Sequence, residues 1–206
     1  MGKPKAIGVD MVHVAKLTDD QVGKVPTYGT PTAIPSAVQM EVSVNSNFNK
    51  FYADNGVDEV LDGVSGATIS FQVGGLTLEE LNLLQAVETP ASGGALSDMG
   101  KMGDYVALGY RRMMTGKTDD DRQRYRYVWI YKVKFAPPGD TTQTRADTTT
   151  VQPDTLSGEC AALDAYKPDH AYWRYIYDNW AEGASSALDQ AFFTAVKGLP
   201  TISPAG

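Results

Sequence analysis

Three features of the sequence predict a mainly β, antiparallel domain carrying two amphipathic α-helices. Several stretches alternate apolar and polar residues with a two-residue period, Gly- and Asp-rich breaks separate them, and only two segments show helical spacing. The clearest alternation lies between Asp104 and Pro138: DYVALGYRRMMT, the turn GKTDDD, then RQRYRYVWIYKVKFAPP. Here Tyr125, Tyr127, Trp129, Tyr131, Val133 and Phe135 fall on one face, and Tyr125, Tyr127, Trp129, Tyr131 and Phe135 form the candidate core of a long hairpin. Arg122, Arg124, Arg126, Lys132 and Lys134 fall on the other, with Val128 and Ile130 between them. Pro137 and Pro138 have no backbone N–H to donate and so end the strand.

The remaining elements follow in order. Ala6 to Leu17 is rich in Val and Ile and predicts a strand. Thr18 to Pro35 has three prolines and little apolar periodicity, and is expected to be a long loop or arm. Val38, Met40, Val42 and Val44 alternate with Gln39, Glu41, Ser43 and Asn45. Asn45 to Gly66 is looser and holds a turn at Phe51–Gly56. Ala67, Ile69, Phe71 and Val73 then alternate with Thr68, Ser70 and Gln72.

Leu76 to Glu88 is the first predicted helix. Thr77 and Glu80 form a capping box, Leu76 and Leu81 a hydrophobic staple, and Leu78, Leu81, Leu84 and Val87 an apolar stripe. A Gly/Pro-rich loop spans Thr89–Gly103, and a polar connection spans Gly139–Pro153. Strands are expected at Thr155–Asp164 and Tyr172–Tyr177. A second helix is expected at about 181–197, capped by Asp178 or Asn179 and stopped by Gly198 and Pro200.

Nothing in the composition of the 206 residues marks a second domain, so 1–206 reads as one unit. A formal charge of −7 opposes a surface that grips nucleic acid through its phosphates. The Arg/Lys face of the hairpin is the local exception, expected to be solvated or to contact another subunit. The single cysteine, Cys160, excludes a disulfide framework and is expected to pack as a small apolar residue. No apolar run has signal-peptide or membrane-spanning length, so cytoplasmic synthesis is the expectation. His13 and His170 lack a nucleophile elbow. Asp119–Asp121 read as a solvated turn, and the 54–59 segment lacks the ligand spacing and closing glutamate of a calcium loop. No enzyme, metal or cofactor is therefore expected.

The order of features resembles the major tail protein, or tail tube protein, of long-tailed bacteriophages. The matching segments are Tyr52–Gly56, Tyr105–Tyr110, Tyr125–Lys132 leading to Lys134-Phe135, and Thr141–Gln152 entering the strand at Thr155. The match spans about Ala6 to Leu163. The family pattern continues into a short Asp-Gly-x-Trp turn, whereas Ala165–Asp178 here reads AYKPDHAYWRYIYD. The resemblance implies a β-sandwich or partial barrel of tail-tube type, in hexameric rings that stack into a conduit for DNA ejection. It also implies a virion location in the tail, neighbours such as the tape measure and terminator proteins, and no catalysis.

A conduit must not hold its cargo, and lumenal Lys or Arg would bind phosphate. The cation-free residues Gln39, Glu41, Ser43, Asn45, Thr68, Ser70 and Gln72 are therefore the candidate lumen-facing set. Arg122, Arg124, Arg126, Lys132 and Lys134 are the candidate subunit-contact face. The alternative is a β-sandwich receptor- or glycan-binding module of a phage fibre or baseplate, using Tyr166, Tyr172, Trp173, Tyr175, Tyr177 and Trp180 as its platform.

Overall fold

The computed structural model describes residues 3–53, 56–85, 93–98, 102–138 and 152–202; the side chains of 47–53 and 56–62 are not described. Among these residues, strands β1 (Ala6–Asp19), β2 (Thr27–Tyr28), β3 (Thr32–Ala33), β4 (Ala37–Ala53), β5 (Gly56–Val73), β6 (Val106–Lys117), β7 (Gln123–Phe135), β8 (Asp154–Cys160) and β9 (Arg174–Asp178) form one sheet. Every pairing is antiparallel, in the order β2-β1-β6-β7-β8-β5-β4, with β3 on β1 and β9 on β7. Two short helices complete it, α1 (Leu78–Gln85) and α2 (Ser186–Ala191).

Alternation gives the sheet two faces with different fates. The inner face gathers Val12, Val14, Ile69, Phe71, Val73, Val106, Leu108, Val128, Ile130, Phe135 and Leu156 into the main core, with Leu84 of α1 plugging it. On the outer face of β1, β6, β7 and β9, a second core joins Tyr127, Trp129 and Tyr131 to Leu163, Tyr166, Tyr177, Phe192 and Phe193. Trp129 lies flat across β6 because position 109 is glycine: a Cβ there would sit 2.7 Å from the indole.

A β-bulge divides the long hairpin strand. Opposite β6, Val106 pairs with Val133 but Leu108 pairs with Ile130, so β7 carries one extra residue between them. Val133 and Phe135 therefore leave the aromatic face and enter the main core, against the single-face expectation. The same shift moves Lys132 and Lys134 to the face that Trp129 occupies, while Arg126 stays on the Val128–Ile130 face. The five cations do not share one face. A second shift, between Ala37 and Gln39, takes Val38 out of the apolar row that Met40 and Val42 continue and leaves it 57% exposed.

Other expectations change for local reasons. Residues 18–35 are not a free arm, because β2 and β3 pair back onto β1 and Tyr28 Oη donates to the Tyr131 carbonyl (3.1 Å). The looser 45–66 segment stays paired antiparallel up to Ala53–Gly56, with register shifts between Asn45 and Ser46 and between Phe51 and Tyr52. The α1 capping box forms, with Thr77 N–H donating to Glu80 Oε2 (2.7 Å) and Glu80 N–H to Thr77 Oγ1 (3.3 Å). Leu78, expected in the stripe, is exposed, and Val87 lies outside the described residues.

The second helix is six residues long, capped by Ser185. Asp178 and Asn179 are occupied elsewhere: Asp178 pairs with Arg126, and Asn179 extends β9 by bonding the Tyr125 N–H (2.9 Å) and Gln123 carbonyl (3.0 Å). The strands expected at Thr155–Asp164 and Tyr172–Tyr177 span Asp154–Cys160 and Arg174–Asp178.

Candidate assembly surfaces

The seven candidate lumen-facing residues, Gln39, Glu41, Ser43, Asn45, Thr68, Ser70 and Gln72, come together on one surface. Register places Gln39 beside Gln72, Glu41 beside Ser70, and Ser43 beside Thr68. The next strand extends each row, because Thr155, Ser157 and Glu159 of β8 lie beside Gln72, Ser70 and Thr68. Gln39, Glu41, Ser43, Asn45, Thr155, Ser157 and Glu159 are exposed, while Thr68, Ser70 and Gln72 are half-buried. A chain of hydrogen bonds crosses the strands: Asn45 Nδ2 donates to Thr68 Oγ1 (3.4 Å), which donates to Glu159 Oε1 (3.2 Å). The β8 residues carry the same alternation in sequence, Thr155, Ser157 and Glu159 against Leu156, Gly158 and Cys160. Only the long-range strand order reveals that they finish this face.

No lysine or arginine occurs in 37–46, 63–73 or 154–160, so the face carries carboxylates and neutral groups. Its border is different. Lys134 pairs across from Glu159, which makes Ser43, Thr68, Glu159 and Lys134 one continuous row. Tyr105 stands over that border, with Lys134 Nζ 5.0 Å from its ring centroid. Beside it is a shallow cavity of about 300 Å³ lined by Met102, Tyr105, Lys134, Gly158 and Glu159, among others.

The other cations between Arg122 and Lys132 are paired or buried within the chain. Arg122 bonds Asp120 and Asp189, both at 2.5 Å. Arg126 makes a two-pronged pair with Asp178 at 2.6 and 2.7 Å, a geometry that suits the planar guanidinium fork. Arg124 is buried. Lys132 reaches Asp20 (2.6 Å) and Asp164 (2.5 Å), and Asp20 also accepts the N–H groups of Asp164 and Ala165. Burial opposes the charge of Lys132, but the hydrogen bonds to Asp164 and Asp20 outweigh it and raise its pKa. Hydrogen bonds from Lys132 and Lys167 hold the Asp164 carboxyl below its ordinary range. This cluster ties the turn after β1 to the segment after β8.

No protein-family model matches the chain, and no curated protein matches it. Among the described residues, no group of three or more His, Cys, Asp or Glu is arranged to hold a metal ion, and no helix is long and apolar enough to cross a membrane. His13 stacks on Phe193 with ring centroids 4.5 Å apart, and burial pushes the Cys160 thiol up to about 12. Of the six aromatics considered as a platform, Tyr166 and Tyr177 are buried in the second core and the other four are half-buried.

The β4–β5 hairpin continues past its neighbour. β8 stops pairing with β5 at Ala67, yet β4 and β5 remain paired from Asn45–Gly66 to Ala53–Gly56. The result is a two-stranded arm whose outer backbone edges have no strand partner among the described residues, and β4 is also the last strand of the sheet. Open edges of this length invite strand addition.

Proposed function

We propose that the chain is a structural virion protein, the tail tube subunit of a long-tailed bacteriophage, which closes into hexameric rings that stack into the conduit for DNA. The open face formed by 37–46, 63–73 and 154–160, which holds no lysine or arginine up to its Lys134 border, carries this reading. A surface of short polar groups and carboxylates repels phosphate and passes DNA without binding it, whereas interspersed Lys and Arg would retain it. The two-stranded arm and the outer edge of β4, without strand partners among the described residues, supply what ring closure by strand addition requires, and a second strand-edge contact per subunit propagates a closed ring. The tail-protein resemblance of the 104–138 hairpin points the same way.

In this reading Gln39, Glu41, Ser43, Asn45, Thr68, Ser70 and Gln72 line the lumen, joined by Thr155, Ser157 and Glu159. Lys134, at the edge of the same face, sits against Glu159 and marks the lumenal border. Arg122, Arg126 and Lys132 act inside the subunit through their carboxylate partners. Electron microscopy of the concentrated protein tests the reading. Six-fold rings and end-to-end tubes are the expected result, and discrete particles at every concentration would overturn it.

A further inference from the structure

Strand β9 has one edge paired and one edge open. Tyr131 N–H donates to the Trp173 carbonyl (2.9 Å) and Asn179 N–H to the Tyr125 carbonyl (3.1 Å). Backbone groups of successive residues in a strand point to opposite edges, so Trp173, Tyr175, Tyr177 and Asn179 face β7, and Arg174, Ile176 and Asp178 face away. No strand other than β7 pairs with β9 among the described residues. The Asp178 carbonyl accepts the Ala181 N–H (3.0 Å); among the described residues, the N–H groups of Arg174, Ile176 and Asp178 and the carbonyls of Arg174 and Ile176 have no backbone partner.

The side chains along that edge are self-complementary. β9 reads Arg174-Tyr175-Ile176-Tyr177-Asp178. Reversed, the order keeps the aromatic and apolar positions and exchanges the charges. We propose that two copies of the chain associate through β9, antiparallel about a two-fold axis at Ile176. Arg174 of each copy then lies opposite Asp178 of the other, Tyr175 opposite Tyr177, and Ile176 opposite itself. Ile176 is 41% exposed, an apolar residue left uncovered at the centre of the edge. Asp178 already accepts two bonds from Arg126, and a carboxylate has about four lone-pair sites, so it accepts the second copy's guanidinium as well. A parallel in-register pairing sets Arg174 against Arg174, and a two-residue slip sets each charge against Ile176 or solvent. The charge pattern therefore selects one register.

This contact goes beyond the tube reading: it concerns the free chain and is two-fold rather than six-fold. In the proposed register Ile176 forms a hydrogen-bonded pair with its copy, with Cα atoms about 5.5 Å apart, inside disulfide reach. The two Arg174 residues are about 14 Å apart along the strands, outside it. The native Cys160 is buried. Ile176→Cys and Arg174→Cys are oxidised in parallel and run on non-reducing gels, while wild type and Ile176→Pro are sedimented over a dilution series. Proline at 176 removes an outward N–H without costing a bond to β7.

The expected result is a concentration-dependent dimer for wild type, a monomer for Ile176→Pro, and disulfide linkage several-fold faster for Ile176→Cys than for Arg174→Cys. A wild type monomeric at every concentration would overturn the proposal. So would a dimer that persists in Ile176→Pro, or equal linkage of the two cysteine variants. Six-fold rings without a two-fold dimer would reject this contact and leave the tube reading standing.

Discussion

On the outer surface of the sheet, the strands either side of the β7–β8 junction are finished differently. Over β6, β7 and β9, Tyr127, Trp129, Tyr131 and Tyr177 are roofed by Phe192, Phe193, Leu163 and Tyr166. Over β4, β5 and β8, the matching positions are Ser, Thr, Gln, Asn and Glu, and nothing among the described residues covers them. Both halves share the same inner core, so the open half does not need its outer side chains for folding. A polar surface that the fold does not require is free to serve an assembly. A roofed aromatic surface is committed to stability.

The contrast is broken most severely at Trp129, which is fully buried and whose Nε1–H donates to the Phe192 carbonyl (3.3 Å). Trp129→Ala is expected to cost about 3–5 kcal/mol in denaturant unfolding. Ser70→Ala on the open half is expected to change stability by less than about 0.5 kcal/mol. Equal losses would show that the halves do not differ as described.

Asp20→Ala comes next, at about 3 kcal/mol, because it strips the buried Lys132 of one carboxylate and frees two N–H groups. Gly109→Ala follows at about 1–3 kcal/mol, since the new methyl group meets the Trp129 ring.

The smallest effect is on pH dependence. Asp164 is held below its ordinary value in the fold, so its stabilising contribution is full above about pH 4 and is lost as pH falls through the lowered value. Lys132 is raised, so its contribution is present below about pH 10.4 and is lost as pH climbs through the raised value. Asp164→Asn should flatten the acid limb of a thermal-stability profile. An unchanged limb would remove Asp164 from the cluster's titration.

Much of this was legible in the residues, and what was not has a physical cause. Alternation marks the strands well because one face of each is buried, and the Thr77–Glu80 box marks the start of α1 because both partners are local. The β7 bulge was hidden: a strand read alone shows no extra residue, and only pairing with β6 shifts Val133, Lys132 and Lys134 to their observed faces. The C-terminal helix is shorter than its spacing predicts. Ala184, Ala187, Leu188 and Ala191 keep helical spacing, but Phe192 and Phe193 are drawn onto Tyr127 and Trp129, and the helix ends there. The alternation of β4 and β5 marks their share of the polar face residue by residue. Its third strand, β8, and the Lys134 border depend on contacts distant in sequence.

The most direct test is a cryo-electron microscopy map of the assembled protein. The expected map shows six-fold rings with Gln39, Glu41, Ser43, Thr68, Ser70 and Gln72 facing the channel, and α2 with its aromatic roof on the outside. A map with the roofed half toward the channel, or an assembly with no channel, would contradict the division of labour between the two halves.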